Sequence, residues 1–171
     1  MGTTVLKEIS SNVDTGAPLT DDLIAKMIAA RNVDDGIKES YQVALASFDM
    51  ALHTSGPNVD PVALWAQTVP RTTAVPLYAT GSLFPAGFGH LFGYDAGYYS
   101  YQWALVYAQD MYTAFKADGV ESPRVGMRYR KDILEPGLIY DADTEVKRFL
   151  GRPMRPDAYY ALLGINAAAT K

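Results

Sequence analysis

The sequence predicts an all-α fold, and three observations support this prediction. Apolar residues recur at steps of three and four along several stretches of the chain, which is the spacing of one face of an α-helix. Acidic or helix-capping residues precede some of these stretches, and proline or glycine follows most of them. With 171 residues, of which 49% are hydrophobic, the chain can bury a core, so we expect one helical domain over residues 1–171.

Two amphipathic helices are predicted in the first third of the chain. Thr20 is an N-cap residue followed by two acidic residues, which predicts a helix over about 20–31. A second helix is predicted to begin at the acidic pair 34–35 and to end near His53, before a Ser-Gly-Pro sequence. Its apolar stripe consists of Ile37, Tyr41, Ala44, Leu45, Phe48 and Leu52.

A short third helix and a long loop are expected next. Pro61 suits the first turn of the helix, and Pro70 is expected to end it. Residues 70–97 contain prolines and glycines at short intervals, so they predict a long, shaped loop. Loops of this length inside a compact domain are usually functional.

The second half of the chain predicts a long helix followed by three short ones. Apolar residues cover most of the circumference of the segment 98–117, so we expect this helix to lie in the centre of the protein, with Gly119 as its stop. The three short helices are expected at about 124–133, 141–150 and 156–163.

Composition excludes several classes of partner. The formal net charge of −4 provides no basic surface for nucleic acid or for an anionic membrane. No run approaches the roughly 20 apolar residues that cross a bilayer, so we expect no membrane insertion. The chain has no cysteine, which is typical of a reducing compartment and leaves no thiolate for catalysis or metal binding. We therefore expect an intracellular protein.

The candidate site is the glycine-broken aromatic segment 88–103. One of the two histidines, His90, precedes Tyr94, Tyr98 and Tyr101, which are spaced by four and three residues. If a helix begins at or just before Tyr94, the three hydroxyl groups lie along one face, with His90 one loop turn earlier.

Two interpretations of this segment are open. A phenol and an imidazole N–H that point at one developing alkoxide can stabilise it, and Gly87, Gly89, Gly93 and Gly97 would let the chain bend close to a substrate. Alternatively, the tyrosines are core residues whose hydroxyl groups find backbone partners. Aromatic stripes are usually core, so spacing alone favours the packing interpretation.

Three further residues carry groups that could take part in chemistry: His53, Arg152 and Arg155. His53 ends a predicted helix, where the dipole favours a cation, so an electrostatic or capping role is predicted. Arg152 and Arg155 could clasp a carboxylate, although a solvated loop pair is the favoured interpretation. A zinc site would have to use both histidines and a carboxylate, and no helix carries them at metal-ligand spacing, so no metal ligand is predicted in this chain.

Several segments resemble the C-terminal region of the thimet-oligopeptidase family of zinc metallopeptidases, which includes oligopeptidase A, dipeptidyl carboxypeptidase and mitochondrial intermediate peptidase. The resemblance implies the C-terminal helical part of a zincin-like oligopeptidase catalytic domain. In that family zinc is held by a His-Glu-x-x-His helix and a Glu on the next helix, and this chain does not contain those elements. The segments are Ile9–Leu19, Ser47–His53, Phe88–Trp103, Gly126–Gly137, and Phe149–Pro153 with Asp157–Ala158.

The resemblance also implies roles for the aromatic segment. His90, Tyr94 and Tyr101 are expected to stabilise the tetrahedral intermediate, and Tyr98 is expected to contact a short peptide substrate, with Gly93 and Gly97 beside it.

The resemblance implies a cofactor, a partner and a compartment as well. Zinc is expected to be held outside this chain, by an upstream segment or by a partner chain, so the chain alone is expected to be inactive as part of a split or truncated enzyme. The expected compartment is the cytosol or the mitochondrial matrix. The alternative is a non-catalytic peptidase remnant that serves as a structural subunit of a larger multisubunit assembly.

Overall fold

The computed structural model describes residues 3–74 and 80–165. All regular secondary structure in these residues is helical, which confirms the all-α prediction. The chain divides into two compact units, residues 1–34 and residues 35–171. This division does not test the prediction of one domain, which stays a prediction. In the ranges described, no helix combines the length and the apolar character that spanning a bilayer requires.

The first unit contains helices α1 (Thr3–Ile9) and α2 (Asp21–Ala30). The sequence did not predict α1. The predicted N-cap of α2 is confirmed, because the Thr20 hydroxyl accepts a hydrogen bond from the Leu23 N–H at 3.3 Å. The Lys7 Nζ atom lies 2.6 Å from a carboxylate oxygen of Asp21, and this ion pair joins α1 to the start of α2.

The second unit begins with α3 (Asp35–Thr54) packed against α4 (Pro61–Thr72). The predicted apolar stripe of α3 supplies part of the core that supports the candidate site. The buried core cluster consists of Leu45, Phe48, Trp65, Val69, Phe88 and Tyr98. Phe84 packs against this cluster and stacks on its member Trp65, with ring centroids 4.4 Å apart.

The expected end of α4 at Pro70 is wrong, because the helix continues through Thr72. A proline lacks one N–H donor, which costs a helix one hydrogen bond. Here hydroxyl groups add hydrogen bonds in the last turn: Thr73 donates its N–H and its hydroxyl to the Val69 carbonyl at 3.0 and 2.9 Å. The helix therefore ends at Thr72 rather than at the proline.

The segment predicted as one long loop contains two short helical turns. These are α5 (Phe84–Gly87) and a 3₁₀ turn (Gly89–Leu91). Residues 75–79 of the predicted loop lie outside the described residues. The core residue Phe88 lies between the two turns, and the 3₁₀ turn places His90 two residues after it.

Helix α6 (Ser100–Asp118) is less buried than predicted. All of its residues are described, and of these only Val106 and Asp110 are buried. Trp103 is 53% exposed, so the expectation of a central helix is wrong. An apolar circumference predicts burial only when partners cover every face, and here the two buried residues are four positions apart, on one face. The predicted stop is confirmed, since Gly119 has φ +94°.

The three short helices at the end of the chain are confirmed. The first is α7 (Pro123–Tyr129), which continues as a π-helical turn (Arg130–Leu134). Then follow α8 (Ala142–Leu150) and α9 (Asp157–Leu162).

Arg152 is bound to a carboxylate, so its interpretation as a solvated loop residue is wrong, whereas Arg155 is exposed as predicted. The Arg152 guanidinium donates two hydrogen bonds of 2.7 Å to the buried carboxylate of Asp110. The Arg155 backbone N–H donates a third at 2.8 Å. Burial acts to raise the pKa of Asp110, but these hydrogen bonds outweigh it and hold the pKa below its usual value. The clasped carboxylate is the protein's own.

Candidate functional site

His90 lies at the centre of an aromatic cluster that contains all three predicted tyrosines. Its ring centroid is 5.1 Å from that of Tyr98, 5.7 Å from that of Tyr101 and 6.0 Å from that of Tyr94. The Nε2 atom of His90 is 3.1 Å from the hydroxyl oxygen of Tyr101, which is hydrogen-bond distance. We call these four side chains the His90 cluster.

The tyrosines come together by a route that the sequence did not predict. Helix α6 begins at Ser100, so Tyr94 and Tyr98 do not lie on it and the predicted common helix face is wrong. A tight turn carries them instead: the Gly97 N–H donates to the Tyr94 carbonyl at 3.0 Å. A side chain at Gly97 would place its Cβ only 3.1 Å from that carbonyl oxygen. The turn therefore requires glycine at this position.

Left-handed backbone conformations on either side of Tyr94 shape the same segment. Gly93 has φ +98°, and Ala96 has φ +54°. The left-handed region favours glycine because other residues crowd Cβ against the carbonyl oxygen. The two predicted glycines thus have different structural reasons: Gly93 provides a positive φ, whereas Gly97 provides space. Contact of either glycine with a peptide stays a prediction.

The members of the His90 cluster differ in exposure. Tyr94 is 68% exposed and Tyr101 is 51% exposed, so both can meet another molecule. Tyr98 is only 8% exposed, and its hydroxyl donates to the Gln42 side-chain oxygen at 3.2 Å. Burial, followed by the neighbouring Tyr101, raises the pKa of Tyr98. Tyr98 thus supports the cluster from the core, and its predicted contact with substrate stays a prediction.

An open groove of about 490 Å³ runs beside His90. Aromatic side chains form most of its wall, and the His90 imidazole is a polar group at its edge. Such a surface can take an apolar side chain while a polar group fixes its orientation. The aromatic wall consists of Tyr41, Phe84, Phe88, Phe92 and Tyr94.

Asp49, for which the sequence predicted no role, connects α3 to this site. Its side chain is 1% exposed. One carboxylate oxygen accepts the Ala96 N–H at 3.1 Å, and the other accepts the Tyr98 N–H at 2.9 Å. A carboxylate beside the apolar stripe of α3, within the family-like segment Ser47–His53, was the signal that could have identified it.

His53 has the capping position that was predicted, together with a contact that was not. Its Nδ1 lies 2.8 Å from the main-chain carbonyl oxygen of Asp49 and 3.0 Å from one of the Asp49 carboxylate oxygens. Both partners are acceptors, so Nδ1 must carry the proton. The His53 side chain, 27% exposed, therefore donates to Asp49 at the end of α3.

The residues described do not fit a zinc centre. Among residues 3–74 and 80–165, no group of three or more His, Asp or Glu side chains is placed to hold a metal ion. Each histidine also has a nitrogen within hydrogen-bond distance of a protein group, Tyr101 for His90 and Asp49 for His53. Zinc sites require three or four converging ligands.

The sequence of this chain matches a known protein family. The model of Peptidase family M3 matches residues 1–165, so the chain belongs to this family. This confirms the resemblance to the thimet-oligopeptidase family that the sequence motifs indicated.

Three relatives illustrate the similarity. The chain is 35% identical to oligopeptidase A of Salmonella typhimurium over 163 residues, which are 92% of this chain and 24% of that protein. It is 33% identical to saccharolysin of Saccharomyces cerevisiae, over 94% of this chain and 23% of the relative. It is 31% identical to the organellar oligopeptidase A, chloroplastic/mitochondrial, of Arabidopsis thaliana, over 96% and 22%. The chain therefore spans about a quarter of the length of these relatives.

Proposed function

We propose that this chain forms the C-terminal, substrate-binding and oxyanion-stabilising wall of a zinc-dependent oligopeptidase that hydrolyses peptide bonds in short peptides. In this proposal His90, Tyr94 and Tyr101 stabilise the negative charge that develops on the carbonyl oxygen of the scissile peptide bond. Tyr98, Gly93 and Gly97 form the adjoining peptide-binding surface. Membership of Peptidase family M3 supports the reaction class.

The observation that carries the proposal is the 3.1 Å distance between His90 Nε2 and the Tyr101 hydroxyl oxygen. When Nε2 carries the proton, it donates to that oxygen, and the Tyr101 O–H is then free to donate elsewhere. The ring of Tyr101 is half exposed, so this O–H can reach a peptide bound beside it. A donor held in this way can stabilise a developing oxyanion by about 3 kcal/mol.

Zinc, its ligands and the general base belong, in this proposal, to a segment or partner chain outside this one. The described residues offer no group that fits the metal, whereas they do offer neutral hydrogen-bond donors and an apolar groove. We therefore expect the chain alone to be inactive. Two relatives from Arabidopsis thaliana, one named chloroplastic/mitochondrial and one named probable cytosolic oligopeptidase A, support an intracellular compartment, for which we propose the cytosol or the mitochondrial matrix.

The test combines this chain with the complementary part of oligopeptidase A, the part outside the matched region, supplied with Zn²⁺. We expect cleavage of a short fluorogenic peptide by the mixture and by neither component alone. Tyr101→Phe should lower kcat about 100-fold, because it removes one oxyanion donor. Tyr99→Phe is the matched control: Tyr99 is also 51% exposed but has no ring contact with His90, so its substitution should leave kcat unchanged. Equal effects of the two substitutions, or a mixture that forms and does not cleave, would contradict the proposal.

The second candidate function is a structural subunit of a larger assembly. Leu138 is 99% exposed and Ile139 is 74% exposed, and both lie in the segment between the π-helical turn and α8. Adjacent exposed apolar residues of this size are typical of surfaces that another protein covers. This function would be favoured if the complex from the native source shows no peptidase activity and if neither Tyr101→Phe nor His90→Gln changes the stability of that complex.

A further inference from the structure

We infer that Asp49 is a positioning residue for the His90 cluster: its buried carboxylate holds the turn that places Tyr94 and Tyr98 beside His90. The inference rests on the proposed function for its consequence in catalysis, but its geometry stands on the contacts of the folded chain.

Most of the hydrogen bonds that the Asp49 carboxylate accepts from the described residues come from the turn of the site. A buried carboxylate is costly unless donors surround it. The donors here are the backbone N–H groups of Ala96 and Tyr98 and the Nδ1–H of His53. Two of the three belong to the turn that precedes α6, 47 and 49 residues away along the chain. The carboxylate therefore ties a helix of the core to the turn of the site.

The turn contains a strained residue, Ala96, that needs a hydrogen-bond partner to hold it in place. Ala96 has φ +54°, a conformation that costs a residue with a Cβ about 1–2 kcal/mol. Strained backbone persists only where the surroundings determine it. The Ala96 N–H is one of the two that Asp49 accepts, so the carboxylate holds the strained residue itself.

The same turn carries Tyr94 and Tyr98. Tyr94 and Tyr98 are each two residues from Ala96, and both rings contact the His90 ring. A shift of this turn moves two of the three tyrosines relative to the imidazole. Among the described residues, the Asp49 side chain contacts neither His90 nor the groove. It therefore acts through the turn.

The experiment compares two buried aspartates of the same unit in the full ¹⁵N-labelled chain. Asp49→Asn leaves only one carbonyl oxygen for two backbone donors. Asp110→Asn is the matched control, because Asp110 is 2% exposed and also anchors a distant backbone N–H, that of Arg155. Amide hydrogen exchange at Ala96 and Tyr98 and the ¹⁵N resonances of the His90 ring are measured by NMR.

We expect Asp49→Asn to lower the exchange protection of Ala96 and Tyr98 about tenfold, as the loss of a hydrogen bond to a charged group predicts. The His90 ring resonances should shift in the same variant. In Asp110→Asn both amides should keep their protection within about twofold, and the ring resonances should not move. Unchanged protection in Asp49→Asn, or equal loss and equal ring shifts in the two variants, would overturn the inference.

The wild-type chain provides a measurement that does not depend on the folding of a variant. Both amides lie outside regular helix, yet each should exchange slowly because Asp49 accepts it. Rapid exchange at both would overturn the inference. Exchange and ring resonances do not require catalysis, so failure of the peptidase assay would refute the proposed function and leave this result standing.

Discussion

Three glycines in the candidate site should respond differently to the same added methyl group. Gly97→Ala places a Cβ 3.1 Å from the Tyr94 carbonyl oxygen, a few tenths of an ångström inside ordinary contact. The oxygen belongs to the backbone and cannot swing away, so we expect a loss of about 1–3 kcal/mol in the free energy of unfolding. Gly93→Ala meets no atom within 4 Å but has φ +98°, so we expect a loss of about 1–2 kcal/mol from backbone strain.

Gly89→Ala is the matched control in the same segment. The new Cβ would have no neighbour within 4 Å, and Gly89 has no positive φ. It lies in a 3₁₀ turn, where alanine lowers the conformational entropy of the unfolded chain, so stability should stay within about 0.5 kcal/mol or rise slightly.

Urea unfolding followed by tryptophan fluorescence measures the three changes. Trp65 stacks on Phe84 and contacts Phe48 in the core cluster, so its emission, measured in a Trp103→Phe background because the sequence has two tryptophans, reports the packing that supports the site. If Gly97→Ala and Gly89→Ala have the same midpoint and slope, the backbone contact at Tyr94 does not constrain the turn, and our explanation of Gly97 is wrong.

Three further predictions concern stability and pH. Arg152→Ala should lower the free energy of unfolding by about 2–3 kcal/mol in urea titrations. This is less than the roughly 3–5 kcal/mol typical of breaking a buried ion pair, because the Arg152 side chain is 32% exposed. Although burial opposes it, the hydrogen bonds from Arg152 and Arg155 hold the pKa of Asp110 below its usual 3.8. The ionised Asp110 therefore stabilises the fold above pH 3.8, and this stabilisation is lost as the pH falls through the lower pKa. Asp110→Asn should reduce the loss of stability at acid pH in unfolding curves followed by circular dichroism. Burial, followed by Glu39, raises the pKa of Tyr159 from 10.0 to about 12. The contribution of Tyr159 to the free energy of unfolding is therefore present below pH 10 and is lost as the pH rises toward 12. Tyr159→Phe should reduce the loss of stability across that interval in urea titrations.

Local signals in the sequence predicted most of the helices. The N-cap Thr20 bonds a residue three positions away, and Gly119 ends α6 through its own backbone conformation. Such interactions are complete within one turn of chain, so the sequence alone contains them. The helix end predicted at Pro70 was wrong because the hydroxyl and the backbone N–H of Thr73 sustain the last turn of α4.

The candidate site was predicted in its membership but not in its construction. His90 and its tyrosines were identified from spacing and resemblance, yet the tyrosines meet through a tight turn rather than along one helix. Asp49 was missed because its partners are 47 and 49 residues away, and no local pattern reveals which backbone groups a buried carboxylate will accept. The partner of Arg152 was missed for the same reason, since Asp110 is 42 residues distant.

The bond between Arg152 and Asp110 closes a loop of the chain at its base. Helices α7 and α8 both lie between these two residues, so their freedom is restricted in the way that a cross-link restricts it. The sequence has no cysteine to form a covalent bridge. An ionic closure of this kind is indifferent to thiol reductants, and it can open and re-form without any change in covalent structure.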